Sequence, residues 1–391
     1  MTEWHLRQLT HGSDAGQFHA HSYYDVPIFS PDGCLVAGHR VSFSGRHPEA
    51  DDAIAIGYVD LADNGGFCEI GKSRSWSWQQ GALSQWLPGS GRRLIWNDRE
   101  GNDFVARVVD LDHGRTETLE RPVYAVDPRG HFFLSLNMAR LETLRPGYGY
   151  AGGNGARLDE RQPVDDGIWR YDFETGDSRL ILSVRDAVPV LMSYFGPRGK
   201  LRQRWQRYHY WFNHVKLSPD GKRFTVKLRF RKNEPNSVWN DEMGVSLTGS
   251  VDGGDVRLLA RGTSHVMWMD DEHLFLWKPG GVRIYRDDAP GGEEVGRIGL
   301  SHFKQNVHMQ RLAGPRLQYV FDTPYREDIE LNVLDVDGDE VIKLAVFNRH
   351  RPPTGPFRCD LHPYPSSDGR KIVVTSLQDG GRQIYLLERT D

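Results

Sequence analysis

Four stretches of this 391-residue chain repeat one phrase: YYDVPIFSPDGCLVAGHR (23–40), VYAVDPRGHFFLSLNMAR (123–140), NHVKLSPDGKRFTVKLRF (213–230) and LHPYPSSDGRKIVVTS (361–376). In each, an Asp-Gly or Arg-Gly pair joins a strand carrying polar or aromatic residues to a strongly apolar one. That is the pattern of a tight hairpin, whose turn demands the positive φ that glycine takes without penalty. Weaker copies stand at QQGALSQWLPGSGRRLIWND (79–98), SHVMWMDDEHLFLW (264–277) and VHMQRLAGPRLQYVFD (307–322), each followed by a further strand such as ARVVDL or LNVLDV. The seven starts fall near 23, 79, 123, 213, 264, 307 and 361, close to the ~40–50-residue period of a propeller blade.

Helical periodicity is almost absent, so the chain reads as all-β: a seven-bladed β-propeller occupying 1–391 as a single domain. The wide gap after 123 is expected to hold a long loop, RPGYGYAGGNGARLDERQPVDDG (145–167), which is Gly-rich and lacks strand alternation. EWHLRQL (3–9) is expected to pair with the last strand, QIYLLER (383–389). This pairing closes the ring and removes an exposed sheet edge. A pair of β-sandwiches would not explain seven units that open with the same kind of polar cluster.

Composition excludes several classes. With 38% hydrophobic residues, 42 glycines and 21 prolines, the chain reads as a turn-rich soluble protein, and no apolar run approaches the roughly 20 residues of a bilayer span. A formal net charge of −4 offers no general field for nucleic acid. The local exception, RGKLRQRWQRYHYW (198–211), reads as a basic, substrate-facing segment. Cys34, Cys68 and Cys359 are odd in number and form no CxxC, so reduced thiols are expected. The N-terminus has no charged head, apolar middle and cleavage site, and the sequence as given reads as cytoplasmic.

In a propeller the first strands of the blades line a channel, so residues at the seven starts are expected to converge. They are His19, His21, Tyr23, Tyr24 and Asp25; Gln79 and Gln80; Tyr124; Asn213 and His214; His265; His308; and Cys359, Asp360 and His362. Histidine recurs at five of the seven. One histidine at a strand start is usually hydrogen-bonded structure, whereas several converging on one axis suggest a site.

The phrases QQGALSQWLPGS, WNDREGNDF, YAVDPRG, LNMARLETLRPGYGY, NHVKLSPDGKRF, SHVMW and CDLHP resemble the oligogalacturonate-lyase-like β-propeller polysaccharide lyases, which include ulvan lyases and rhamnose-glucuronate lyases. The resemblance runs from about His19 to the C-terminus and is most specific over 79–150. It implies β-elimination of a uronic-acid glycoside to a 4,5-unsaturated product; a short oligosaccharide is expected as substrate rather than a polymer, because no export signal is visible in the sequence as given. Tyr124 and Arg140 match in spacing and neighbours a tyrosine and an arginine that act on the uronate in these lyases. The C5 hydrogen of a uronate is weakly acidic beside its carboxylate, so that charge must be neutralised before a base can act. Arg140 is the expected clamp, Tyr124 the expected acid toward O4, and His21, His39 and His214 the candidate bases. Gln80, Arg145, Tyr208 and Tyr210 are the expected substrate contacts.

The resemblance also implies one divalent metal at late blade starts, with His265, Cys359 and His362 as ligands. A thiolate with two imidazoles favours zinc in a bracing rather than catalytic role. Met267 stands where relatives carry an acid, and CDLHP lacks their paired histidines. The alternative is a non-catalytic propeller that binds glycan or protein. A peptidase is disfavoured because GxSxG is absent. A monomer or weak homodimer is expected, without nucleic-acid or membrane partners.

Overall fold

The computed structural model describes residues 3–63, 66–89, 91–232, 234, 243–350 and 355–390. Seven four-stranded antiparallel sheets follow one another as blades: blade 1 over 18–73, blade 2 over 85–119, blade 3 over 125–183, blade 4 over 209–261, blade 5 over 264–298 and blade 6 over 309–347. Blade 7 takes three strands from 364–390 and its fourth from Glu3–Gln8. That N-terminal strand runs antiparallel to Gln383–Thr390, from Glu3 opposite Thr390 to Gln8 opposite Tyr385. This is the expected closure, and the fold is a seven-bladed β-propeller.

The repeated phrase is a turn with its own hydrogen-bond set. Gly33, Gly130, Gly221 and Gly369 have φ of 70°, 75°, 69° and 69°, and each amide donates to the carbonyl three residues back, at Ser30, Asp127, Ser218 and Ser366. Three of the four copies add a serine hydroxyl that donates to the turn aspartate: Ser30 to Asp32, Ser218 to Asp220 and Ser366 to Asp368. Blade 3 has Asp127 at the serine position, and its carboxylate accepts from the His131 amide instead. Such turns fix the register, so every apolar second strand places alternate side chains between blades. Ser90, in the turn of the second unit, lies outside the described residues.

Contacts group the chain into two compact units: 1–120, 150–152 and 299–391, and 121–149 with 153–298. The first holds blades 1, 2, 6 and 7. Its core consists of facing blade surfaces, such as Leu35, Ile54, Trp76, Trp86 and Trp96, and Val320, Leu331, Ile372 and Val374. The second holds blades 3 to 5, with Leu259, Val266, Leu274 and Leu276 between blades 4 and 5. Each fully buried aliphatic side chain contributes about 1.5–3 kcal/mol.

Among the described residues, three α-helices depart from the all-strand expectation: α1 (Met138–Leu144), α2 (Val184–Tyr194) and α3 (Pro197–Trp205). They escape pattern reading because α1 is two turns long and α2 contains Pro189. The Asn137 side chain caps α1 by accepting from the Arg140 amide at 2.9 Å. No strand crosses 145–166, as the glycine-rich sequence implies. Among the described residues, no helix is long and apolar enough to cross a membrane.

Candidate functional site

The first strand of blade 4, His209–Leu217, breaks register between Asn213 and Lys216, and that of blade 5, Ser264–Trp268, breaks between Ser264 and Met267. At each bulge a histidine takes left-handed backbone angles: His214 at φ 55° and His265 at φ 46°. His362, two residues ahead of the first paired residue of blade 7, has φ 49°, and Leu83 fills the same place in blade 2 with φ 52°. A side chain there costs on the order of 1–3 kcal/mol, and bulges re-aim side chains. Leucine shows that the geometry belongs to the blade. Histidine at three such positions is the chemistry-bearing choice.

In the second unit the bulge of blade 4 builds a polar cluster around Tyr124. The His214 amide donates to the Tyr124 hydroxyl at 3.1 Å, and that hydroxyl donates to Asn213 Oδ1 at 3.4 Å. Tyr148 meets the His214 ring edge-on, with centroids 5.4 Å apart, and the Arg145 guanidinium lies 4.2 Å from the Tyr148 ring centre. Lys216 Nζ is 2.9 Å from Met267 Sδ, so Met267 gives the ammonium a soft neighbour. Burial, then Arg145, Lys216, Arg229 and His265 in that order, hold the His214 imidazole well below the usual histidine range. His214 is therefore a neutral base facing concentrated positive charge, an environment suited to a carboxylate.

The 145–149 turn sits on α1 by close approach. A Cβ on Gly149 would overlap the Met138 carbonyl and the Glu142 amide. The Glu142 carboxylate accepts the Gly147 amide at 3.1 Å, and burial pushes this carboxyl up to about 7.

Arg140 does not belong to this cluster as a clamp, which corrects the sequence expectation. Its Nε donates to the Tyr210 carbonyl at 2.8 Å, its Nη1 to Ala156 and Arg157, and its Nη2 to Glu160 and Arg161. All five N–H groups face backbone carbonyls and none remains for a substrate carboxylate. Arg140 is buried to 1% exposure and ties the strand-less 156–161 segment to blade 4. Tyr208 and Tyr210, expected at the sugar, are buried against Phe230, and the Tyr210 hydroxyl donates to Gln203. Arg145 is the expected substrate contact that the structure brings beside His214 and Tyr148.

His21, His39 and Gln80 lie in the first unit. Burial and the neighbouring Arg382, His21 and His19 press His39 down to about 3, and burial takes His21 to about 4, although its Nδ1 pairs with the Ser22 carbonyl at 2.6 Å. Both are neutral, buried rings. Gln80 is buried in the 77–81 turn, where its amide donates to the Ser77 hydroxyl.

The first unit also carries the metal-capable group, and here the expected ligand set is corrected. His308, Asp360 and His362 place their ligand atoms within 4.8 Å of one another. His308 Nε2 and His362 Nε2 each lie 3.9 Å from Asp360 Oδ2. Asp322 accepts the His308 Nδ1 proton at 2.9 Å, the outer-shell arrangement that turns the other ring nitrogen toward an ion. Asp360 Oδ1 is buried with no hydrogen-bond partner, which fits the role of a cation ligand.

Cys359 is outside the group. Burial pushes its thiol up to about 11, and its backbone carbonyl accepts from His350 Nε2. Its sulfur is not among the ligand atoms that gather at His308, Asp360 and His362. His265 is outside it too and sits with His214. With the thiolate gone, the zinc argument goes as well, and two imidazoles with a carboxylate suit manganese, iron or zinc. We expect Asp360→Ala to abolish stoichiometric metal in elemental analysis of purified protein and Cys359→Ser to leave it unchanged; loss of metal in the cysteine variant would restore the thiolate ligand.

Sequence reading named Asp360 and His308 as blade-start residues without assigning them the ion. It missed Asp322, Tyr148, Lys216 and Arg229 as site residues.

No family model and no curated protein matches the chain. Among solved structures, an oligogalacturonate lyase in complex with manganese is 14% identical over 100% of this chain and 96% of its own, with a TM-score of 0.61. The oligogalacturonate lyase of Vibrio parahaemolyticus is 14% identical over 99% and 97%, with a TM-score of 0.58. TolB from Acinetobacter baumannii aligns over 88% and 78% at 13% identity and a TM-score of 0.41. The fold of this chain is a seven-bladed β-propeller, similar to the fold of the two oligogalacturonate lyases.

Proposed function

We infer that the chain is a lyase that cleaves a uronate glycoside by β-elimination. The observation that carries this reading is the neutral His214 beside the Tyr124 hydroxyl, with Arg145, Lys216 and Arg229 supplying positive charge around it. The likeness in fold to oligogalacturonate lyase supports the same class.

In this reading the cations hold the uronate carboxylate and make its C5 proton more acidic. His214 removes that proton, the C5–H electron pair becomes the C4=C5 double bond, and the C4–O4 bond breaks. Tyr124 delivers its proton to the departing O4, helped by the His214 amide that stabilises the phenolate left behind. One proton is taken and one given, so the reaction consumes none. Protonating His214 among cations is unfavourable in the free protein, and the substrate carboxylate offsets this, so the base gains strength when substrate is present.

His308, Asp360 and His362 would hold a divalent ion, manganese being the metal in the similar lyase. Such an ion supplies positive charge or Lewis acidity to oxygen ligands.

The test is a panel of oligouronides with the near-ultraviolet absorbance of the conjugated enoate as readout. Wild type should give the rise with at least one member, and Tyr124→Phe should lower kcat by about 10²–10⁴-fold with little change in KM. No rise from any uronate would sink the reading, and binding without turnover would make the chain a glycan-binding propeller.

A further inference from the structure

The segment 187–219 contains no aspartate or glutamate, and α3 lies within it. Arg198, Lys200, Arg202 and Arg204 on α3, with Arg207 just beyond, are all exposed, and among the described residues no ion pair joins any of them to an acid. Trp205 is 82% exposed and Leu201 60%, unusual for side chains of this size. The helix is held from below: Gln203, its buried residue, accepts a hydrogen bond from the Tyr210 hydroxyl at 2.9 Å. A basic face with an exposed indole is therefore presented on a helix with a specific anchor.

We propose that α3 and Arg207 form a binding surface for an acidic polysaccharide. Guanidinium forks match carboxylates bidentately, and positions four apart, such as Arg198 and Arg202 or Lys200 and Arg204, advance about 6 Å along the helix, presenting charge at intervals to a chain with regularly spaced carboxylates. The Trp205 ring offers a flat apolar face to the C–H face of a sugar. Charge surrounds the helix instead of segregating opposite an apolar stripe, which argues against a membrane-lying helix. The same unit carries a second set of cations, Arg145, Lys216 and Arg229, so one carboxylated chain suits both. Tyr210 and His214 stand four residues apart on one strand, about 13 Å at ~3.3 Å per residue; the anchor of α3 is thus several sugar units' reach from the base. The proposal rests on the lyase reading only for cleavage of the bound chain, and it names a polymer, not a short oligomer, as the preferred ligand.

Affinity electrophoresis through gels containing polygalacturonate, alginate or a neutral glucan separates the outcomes. Wild type should be retarded by an acidic polymer and not by the glucan. The triple variant Arg198→Glu/Arg202→Glu/Arg204→Glu should bind at least tenfold more weakly, Trp205→Ala should bind more weakly too, and both should keep the wild-type melting temperature. Retardation with no enoate absorbance would support this surface while sinking the lyase reading. Absence of retardation in wild type would overturn the proposal, as would equal retardation of the triple variant. Retention confined to single-stranded RNA or to anionic phosphatidylserine vesicles would overturn it in favour of those partners.

Discussion

Arg140→Ala should lower the stability of the protein by roughly 3–5 kcal/mol, the range for breaking a buried charged network by removing one partner. The structure gives the reason: five backbone carbonyls, from Ala156, Arg157, Glu160, Arg161 and Tyr210, accept from this one side chain. Asp166 adds a pH signature. Burial pushes its carboxyl up to about 6, against the pull of Arg140 and the Asn137 amide. A carboxyl whose folded value lies above its unfolded one favours folding while protonated and loses that contribution as pH rises between the two values. Removing Arg140 raises the folded value further, so the deficit of the variant should be larger at pH 8 than at pH 5 in denaturant titrations. Arg140→Lys should recover little, because an ammonium has three donors and no planar fork. Normal stability with abolished turnover would instead return Arg140 to the active site as a carboxylate clamp.

The turn phrase carried most of the fold. Ser-Pro-Asp-Gly states its own hydrogen bonds, and once four copies mark hairpins, the blade period and the closing pair of Glu3–Gln8 with Gln383–Thr390 are determined. The site was less legible because two facts that decide it are not local. Tyr124 and Arg140 share a spacing with the lyases, but spacing says nothing of which carbonyls surround a guanidinium. CDLHP shows three ligand types in four positions, but not that Asp360 and His362 gather with His308 of the preceding blade while Cys359 stays outside, nor that Asp322, on the neighbouring strand of blade 6, orients His308. The bulges are intermediate. NHVK and SHVM look like ordinary strand starts, and their left-handed histidines emerge only from the break in register at Asn213 and Ser264.

Those bulges make His214 the position where stability and turnover should separate most widely. Glycine takes φ 55° without the penalty a side chain incurs, and relief of that strain offsets the packing lost with the ring. His214→Gly should therefore stay within about 1 kcal/mol of wild type while losing the base, which costs about 10²–10⁴-fold in kcat. The pH profile identifies the mechanism. Because burial, Arg145, Lys216 and Arg229 keep the imidazole neutral, the acid limb of kcat/KM, which reports the free enzyme, should lie below the ordinary histidine value. The acid limb of kcat should lie higher, since bound substrate brings a carboxylate that favours the imidazolium. Lys216→Met removes one of the depressing charges and should move the kcat/KM limb upward. An acid limb at the ordinary histidine value, unmoved in Lys216→Met, would assign the base to another residue, and His265, at the matching bulge of blade 5, would be the next to replace.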